Sequence, residues 1–121
     1  FITILAQDDV GGLQVSNTDG KWIDVPCIPG SFVINTGDIL HRWSNGRFIS
    51  TPHRVRSSAE RHRYSIAFFF DPSFHTEIAP LPSCISADHP AQTPVIYGDY
   101  LTQKLNATLN SGAYPEWEEP K

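Results

Sequence analysis

Turn residues interrupt the first 70 positions of the chain at short intervals, and this feature limits the possible folds more than any other. Gly11-Gly12, Asn17-Thr18-Asp19-Gly20 and Pro29-Gly30 separate segments that are apolar or alternate between polar and apolar residues. Asn45-Gly46 is the strongest short hairpin signal. Many short strands with turns roughly every 8–12 residues indicate a β-sandwich or barrel rather than a helical or parallel α/β fold. We predict strands at 1–6, 13–15, 21–25, 31–35, 48–50, 53–56 and 63–70.

The composition changes after Asp71, because five of the ten prolines fall between 72 and 94. This spacing predicts an extended segment that wraps over the strands. The next segment has a helical pattern, in which four apolar residues share one face: Tyr97, Leu101, Leu105 and Leu109. We expect this stripe to pack into the core, and a partner-binding helix is the alternative. We therefore divide the chain into core strands (1–72), a proline-rich wrapping segment (73–96) and a C-terminal helix with an acidic tail (97–121).

The chain has 121 residues and a net charge of −4, with a pI near 5.6. These values indicate one domain and argue against nucleic acid or an anionic membrane surface as the partner. Cys27 and Cys84 form no CxxC motif, so we expect reduced thiols in a cytoplasmic protein, with a disulfide as the alternative. We also expect a monomer. Methionine is absent even at position 1, and the chain opens inside an apolar run, so we expect it to be part of a longer protein.

Alternation along the segment 63–70 places a charged residue on a face with small neighbours. Arg63, Ser65 and Ala67 share one face of this strand, because residues i and i+2 point the same way. A buried guanidinium needs a partner, and a bound carboxylate would accept two hydrogen bonds from it, with the Ser hydroxyl as a further donor. The pattern therefore indicates either a carboxylate site or an Arg at the solvent edge of a strand.

Histidines offer two candidate metal sites. His53 shares a strand face with Val55, and it is either a metal ligand or a hydrogen-bonded structural residue. Redox-capable iron sites commonly combine two His and one carboxylate on one face. The chain contains one His-x-Glu pair, His75-Thr76-Glu77, which His89 could complete from a proline-rich loop. A solvated loop is the other interpretation of that second group.

Several segments, taken together and in order, resemble the C-terminal part of the iron(II)/2-oxoglutarate-dependent dioxygenases of the isopenicillin N synthase type. The match is dense over residues 1–72. It is carried by TILAQD at 3–8, VGGLQV at 10–15, PGSFVINTGD at 29–38, WSNGRF at 43–48, STPHRV at 50–55 and RYSIAFF at 63–69.

The resemblance implies an incomplete double-stranded β-helix (a jelly roll), dominated by β-strands and followed by a C-terminal helix. It implies that His53 is the distal Fe(II) ligand, that a His-x-Asp pair upstream of Phe1 supplies the other two, and that Arg63 and Ser65 bind the far carboxylate of 2-oxoglutarate. The implied activity is oxidation of a small organic molecule with O2, although the same Arg-x-Ser pair also binds a substrate carboxylate in some relatives. This chain alone should be a poor enzyme. A non-catalytic jelly-roll binding or interaction module is the alternative, and the residues leave the substrate and the reaction type open.

Overall fold

The structure is a computed structural model that describes residues 1–56 and 60–110. Within these ranges the chain forms eight strands, two helices and one 3-10 turn. The first six strands are β1 (Ile2–Gln7), β2 (Leu13–Ser16), β3 (Trp22–Asp24), β4 (Val33–Thr36), β5 (His53–Val55) and β6 (Ser65–Phe70). The remaining elements are helix α1 (Asp38–Trp43), strand β7 (Glu77–Ile78), the 3-10 turn Pro82–Cys84, strand β8 (Val95–Ile96) and helix α2 (Tyr97–Asn110).

The six longer strands form two antiparallel sheets of three strands each. The first sheet has the order β4-β1-β6 and the second the order β3-β2-β5, so each sheet pairs strands that are distant in sequence. Ile4 lies opposite Ile34 on one side and Phe68 on the other, which fixes the register of the first sheet. Side chains of both sheets line one cavity. Two facing antiparallel sheets with long-range pairing form the predicted jelly roll.

The segment around Asn45-Gly46 differs from the prediction. It ends helix α1 and does not join two strands, and residues 48–50 form no strand. Asn45 and Gly46 have φ angles of 50° and 87°, and the Gly46 N–H donates to the carbonyl oxygen of His41 at 2.8 Å. A hairpin turn and a helix C-terminus both need residues that tolerate positive φ, which is why the dipeptide signal was misleading.

The proline-rich segment lies against the end of α1. The buried Asn45 amide donates to three backbone carbonyl oxygens of this segment: those of Cys84 at 3.2 Å, His89 at 3.0 Å and Pro90 at 3.3 Å. Strands β7 and β8 pair within it, and the fully buried Ile78 packs with Ile39 and Tyr97 in a small core. The segment is therefore attached to the sheets through α1.

Helix α2 begins at Tyr97, as predicted, but only the first half of its apolar stripe is buried. Tyr97 is 6% exposed and Leu101 is half-buried, whereas Leu105 and Leu109 are 54% and 64% exposed. The stripe predicted to pack into the core does so over a single turn, because no described residue covers the second half. The acidic part of the predicted tail lies outside the described residues.

The first sheet has an apolar outer face, on the side opposite the cavity. Ile34, Ile66, Phe68 and Phe70 are all exposed there. Both cysteines are free thiols. Among the described residues, no helix combines the length and the hydrophobicity that a bilayer crossing requires.

Candidate functional site

A cavity of about 510 Å³ lies between the two sheets and reaches helix α2. Its walls are mainly apolar, with Leu5 and Val33 from the first sheet and Leu13 and Val15 from the second. Strand parity explains this composition, since the inward residues of each strand alternate with outward ones. His53, Arg63 and Ser65, which the sequence singles out on two separate strands, all line this one cavity.

Arg63 is held in place by three uncharged acceptors. Its Nε donates to the carbonyl oxygen of Gly11 at 2.8 Å, one terminal nitrogen donates to Ser65 Oγ at 2.9 Å, and the other donates to Gln7 Oε1 at 3.2 Å. A guanidinium has five N–H donors in a fixed plane. Among the described residues these three bonds leave one N–H on each terminal nitrogen, and a carboxylate could accept from both.

The start of β6, next to Arg63, is anchored by Asp8. The Asp8 carboxylate accepts hydrogen bonds from the backbone N–H of Tyr64 at 2.6 Å and from that of Val10 at 3.1 Å. The bond from Tyr64 is the main cause that lowers the pKa of the Asp8 carboxyl. The Asp8 N–H in turn donates to the carbonyl oxygen of Tyr64 at 3.1 Å, so Asp8 engages both backbone polar groups of the residue that follows Arg63.

His53 presents one ring nitrogen for coordination. Its Nδ1 lies 3.2 Å from the carbonyl oxygen of Thr51. A carbonyl can only accept, so in the neutral ring the proton lies on Nδ1 and the lone pair on Nε2. This is the tautomer that a metal ligand requires, and His53 fits a single coordination position of Fe(II).

The second candidate metal site does not form. Within residues 1–56 and 60–110, no three His, Cys, Asp or Glu side chains come close enough to hold a metal ion. His75, Glu77 and His89 are therefore not a ligand set, and the His75 ring packs against Phe74 with centroids 5.8 Å apart. An iron site at His53 would need ligands in addition to those that the described residues supply.

A polar network closes the end of the cavity at helix α2. Asp38 Oδ2 accepts from the Tyr100 hydroxyl at 2.8 Å and lies 3.0 Å from Lys104 Nζ. A hydrogen bond from Ser50 is the largest of the effects that lower the pKa of the Asp38 carboxyl. Partial burial raises this pKa, whereas Tyr100 and Lys104 lower it further, and the resulting pKa is about 2. The network links α1 to α2 across the cavity rim.

Removing the Asp38 charge should change how stability depends on pH. Because folding lowers the pKa of Asp38 from 3.8 to about 2, the carboxylate stabilises the fold above pH 4 and loses this contribution as the pH falls from 4 to 2. Asp38→Asn should therefore lower the free energy of unfolding by about 1 kcal/mol at neutral pH, since solvent screens this half-exposed group. Urea titrations between pH 2 and 7 should show the difference from the unmodified protein shrinking below pH 4.

Asp99→Asn is the matched control, because Asp99 is an exposed carboxylate on the same helix as Tyr100 and Lys104. A difference for Asp38→Asn that stays constant from pH 7 to pH 2 would contradict the assigned cause.

Sequence reasoning missed two parts of this site. Gln7 continues the inward face of β1 after Thr3 and Leu5, and a polar side chain at that position was the available signal. The contact between Asp38 and Lys104 joins residues far apart in the chain, and no spacing rule could have found it.

Comparison with known proteins agrees with this geometry. A model of the 2OG-Fe(II) oxygenase superfamily matches residues 1–72 of the chain. The match covers more than half of the sequence, so the chain belongs to this superfamily.

Relatives and solved structures of the same kind match most of the chain. Gibberellin 3-beta-dioxygenase 1 of Arabidopsis thaliana is 41% identical over 105 residues, which are 86% of this chain and 29% of that protein. Homoarginine-6-hydroxylase of Oryza sativa subsp. japonica is 39% identical over 108 residues, 87% of this chain and 33% of that protein. A full-length Neurospora crassa protein, crystallised with alpha-KG and thymine, superposes with a TM-score of 0.80 at 40% identity, over 88% of this chain and 34% of that one. The chain thus spans about a third of the length of each.

Proposed function

We propose that the protein is an Fe(II)- and 2-oxoglutarate-dependent dioxygenase of the isopenicillin N synthase type that oxidises a small organic molecule. The observation that carries this proposal is the convergence of His53, Arg63 and Ser65 on one cavity. An imidazole with a free Nε2 and a guanidinium with two free donors fit a metal and a dicarboxylic acid, respectively. When bound, these groups would supply the redox chemistry: O2 oxidises the substrate while 2-oxoglutarate loses CO2.

The chain's own residues bind the acid and orient it in the cavity. Arg63 and Ser65 hold the far carboxylate at one place in the cavity, which orients the other end of the acid towards the His53 side. Val55 and Phe69 of the cavity walls are 49% and 66% exposed in this chain, so we propose that the walls keep water away from the reacting atoms, and strengthen the charge interactions inside, only in the whole protein. His53 would contribute one ligand, and we propose that a His-x-Asp pair in the whole protein contributes the other two.

Replacing Arg63 tests this function. Arg63→Met keeps a long apolar side chain but removes the charge and both donors, so the dissociation constant for 2-oxoglutarate should rise about 100-fold. Anaerobic isothermal titration calorimetry on the whole protein with Fe(II) measures this constant, and release of CO2 from 2-oxoglutarate under air measures turnover. Arg61→Met is the matched control, because Arg61 is exposed and pairs with Asp9 at 2.9 Å.

Two other outcomes would replace the proposal. The donors of Arg63 and Ser65 would suit a substrate carboxylate equally well, and failure of the unmodified protein to bind 2-oxoglutarate would assign them to the substrate. Failure to bind Fe(II) as well would favour a non-catalytic jelly-roll binding or interaction module. The relatives' names cover different small molecules, so we propose no single substrate and leave hydroxylation, desaturation and ring closure open.

We also propose that the protein is a cytoplasmic monomer that binds neither nucleic acid nor membranes. The free thiols of Cys27 and Cys84 support a reducing compartment, and the net charge of −4 argues against polyanionic partners. Light scattering at increasing concentration tests the monomer, which a concentration-dependent dimer would contradict.

A further inference from the structure

We propose that Gln7 is a positioning residue that orients Arg63 for carboxylate binding, an inference that rests on the proposed function. Gln7 is the last residue of β1 and lies opposite Ser65, the first residue of β6. The two residues that contact the terminal nitrogens of Arg63 therefore lie side by side on paired strands. Gln7 accepts from one of these nitrogens at 3.2 Å, and Ser65 accepts from the other at 2.9 Å.

The three contacts of Arg63 leave its guanidinium only one orientation. Bonds to Gly11, Gln7 and Ser65 engage all three nitrogens, so rotation of the plane about the Cδ–Nε bond would break at least two of them. Gly11 contributes a backbone carbonyl and Ser65 is itself proposed to bind the ligand. Gln7 is thus the one side chain among these partners whose contact serves orientation alone.

The chemistry of an amide suits this role. A carboxylate at position 7 would also accept from Arg63, but it would neutralise the positive charge and repel an incoming acid. The neutral amide oxygen of Gln7 accepts the hydrogen bond and leaves the charge of Arg63 available in the cavity. Pre-oriented donors bind more tightly because the ligand does not have to order them.

Gln7→Met tests the role of this acceptor with little change of shape. In the whole protein loaded with Fe(II) under anaerobic conditions, calorimetry should show a rise of about 10-fold in the dissociation constant for 2-oxoglutarate. The constant for 2-oxobutanoate, which has the same 2-oxo acid end but lacks the far carboxylate, should stay within about two-fold of its original value. In an Arg63→Met background, Gln7→Met should have no further effect.

Matched variants separate orientation from general damage. Gln14→Leu removes a glutamine whose Oε1 accepts from Arg54 Nε at 2.9 Å outside the cavity, and it should leave both constants unchanged. Gln7→Asn, which withdraws the amide by one methylene, is measured in parallel and should also raise the dissociation constant for 2-oxoglutarate by about 10-fold. If one of the two variants folds poorly, the other supplies the test.

The possible outcomes distinguish the inference about Gln7 from the proposed function. Equal weakening of both acids by Gln7→Met would show a merely structural role and overturn the inference. No effect of Gln7→Met, together with lost 2-oxoglutarate binding in Arg63→Met, would overturn the inference but leave the proposed function standing. Unchanged 2-oxoglutarate binding in Arg63→Met would overturn both.

Discussion

His53→Ala should weaken Fe(II) binding more than any other single substitution in this chain. The variant loses one of three proposed protein ligands, whereas loss of a group that only orients a ligand typically weakens metal binding by roughly 10–100-fold. We therefore expect the Fe(II) affinity of the whole protein to fall by more than about 100-fold, with complete loss of turnover. Anaerobic titration with Fe(II) measures the affinity directly, so the result does not depend on knowing the substrate.

His75→Ala is the matched control for this substitution. His75 is an exposed histidine that packs against Phe74 and does not line the cavity. His75→Ala should leave Fe(II) binding and turnover unchanged. This result would also exclude a functional metal site at His75, Glu77 and His89. Normal Fe(II) affinity in the His53 variant would show that the metal ligand has been assigned to the wrong residue.

Gly12→Ala should destabilise the fold more than alanine substitution of most other glycines among the described residues. Gly12 has a φ of +85°, and a Cβ at this position would overlap the backbone carbonyl oxygen of Arg56. Arg56 follows β5, and its N–H donates to the carbonyl oxygen of Gly12 at 2.8 Å. The strand that carries His53 would have to move. We expect a loss of roughly 3 kcal/mol in the free energy of unfolding, measured by urea titration followed by tryptophan fluorescence.

Gly20→Ala separates the two causes of this loss. Gly20 also has a positive φ, at +75°, but nothing lies within 4 Å of a Cβ placed there. Its substitution should lower the free energy of unfolding by about 1 kcal/mol, the conformational cost alone. If both variants lost the same free energy, the close approach of Gly12 to Arg56 would not be the cause.

The alternation of side chains made the site predictable in part. Two-residue periodicity correctly placed Arg63, Ser65 and Ala67 on one face and His53 with Val55 on another. Periodicity within one strand carries no information about which sheet faces which. The pairing of β1 with β6 and of β2 with β5, between residues far apart in sequence, places the two faces in different sheets, and only the packing of these sheets brings both faces to the same cavity.

Helices were less predictable than strands for a physical reason. Helix α1 has only six residues, too few for a helical period to show, and one of them, Ile39, is buried. In α2 the spacing of Tyr97 and Leu101 correctly indicated a helix, but spacing cannot tell whether another element lies against each turn. The exposure of Leu105 and Leu109 therefore could not be read from their positions.

The paired register of β1 and β6 makes the length of this part of the chain as important as its residues. Insertion or deletion of a single residue between Arg63 and Ile66 would exchange the two faces of the strand downstream of the change. Ile66 and Phe68 would then turn inward and fill the space beside Arg63, while Ala67 and Phe69 would turn outward. Genetic variation that adds or removes one codon here should be far more damaging than most amino-acid replacements at the same positions.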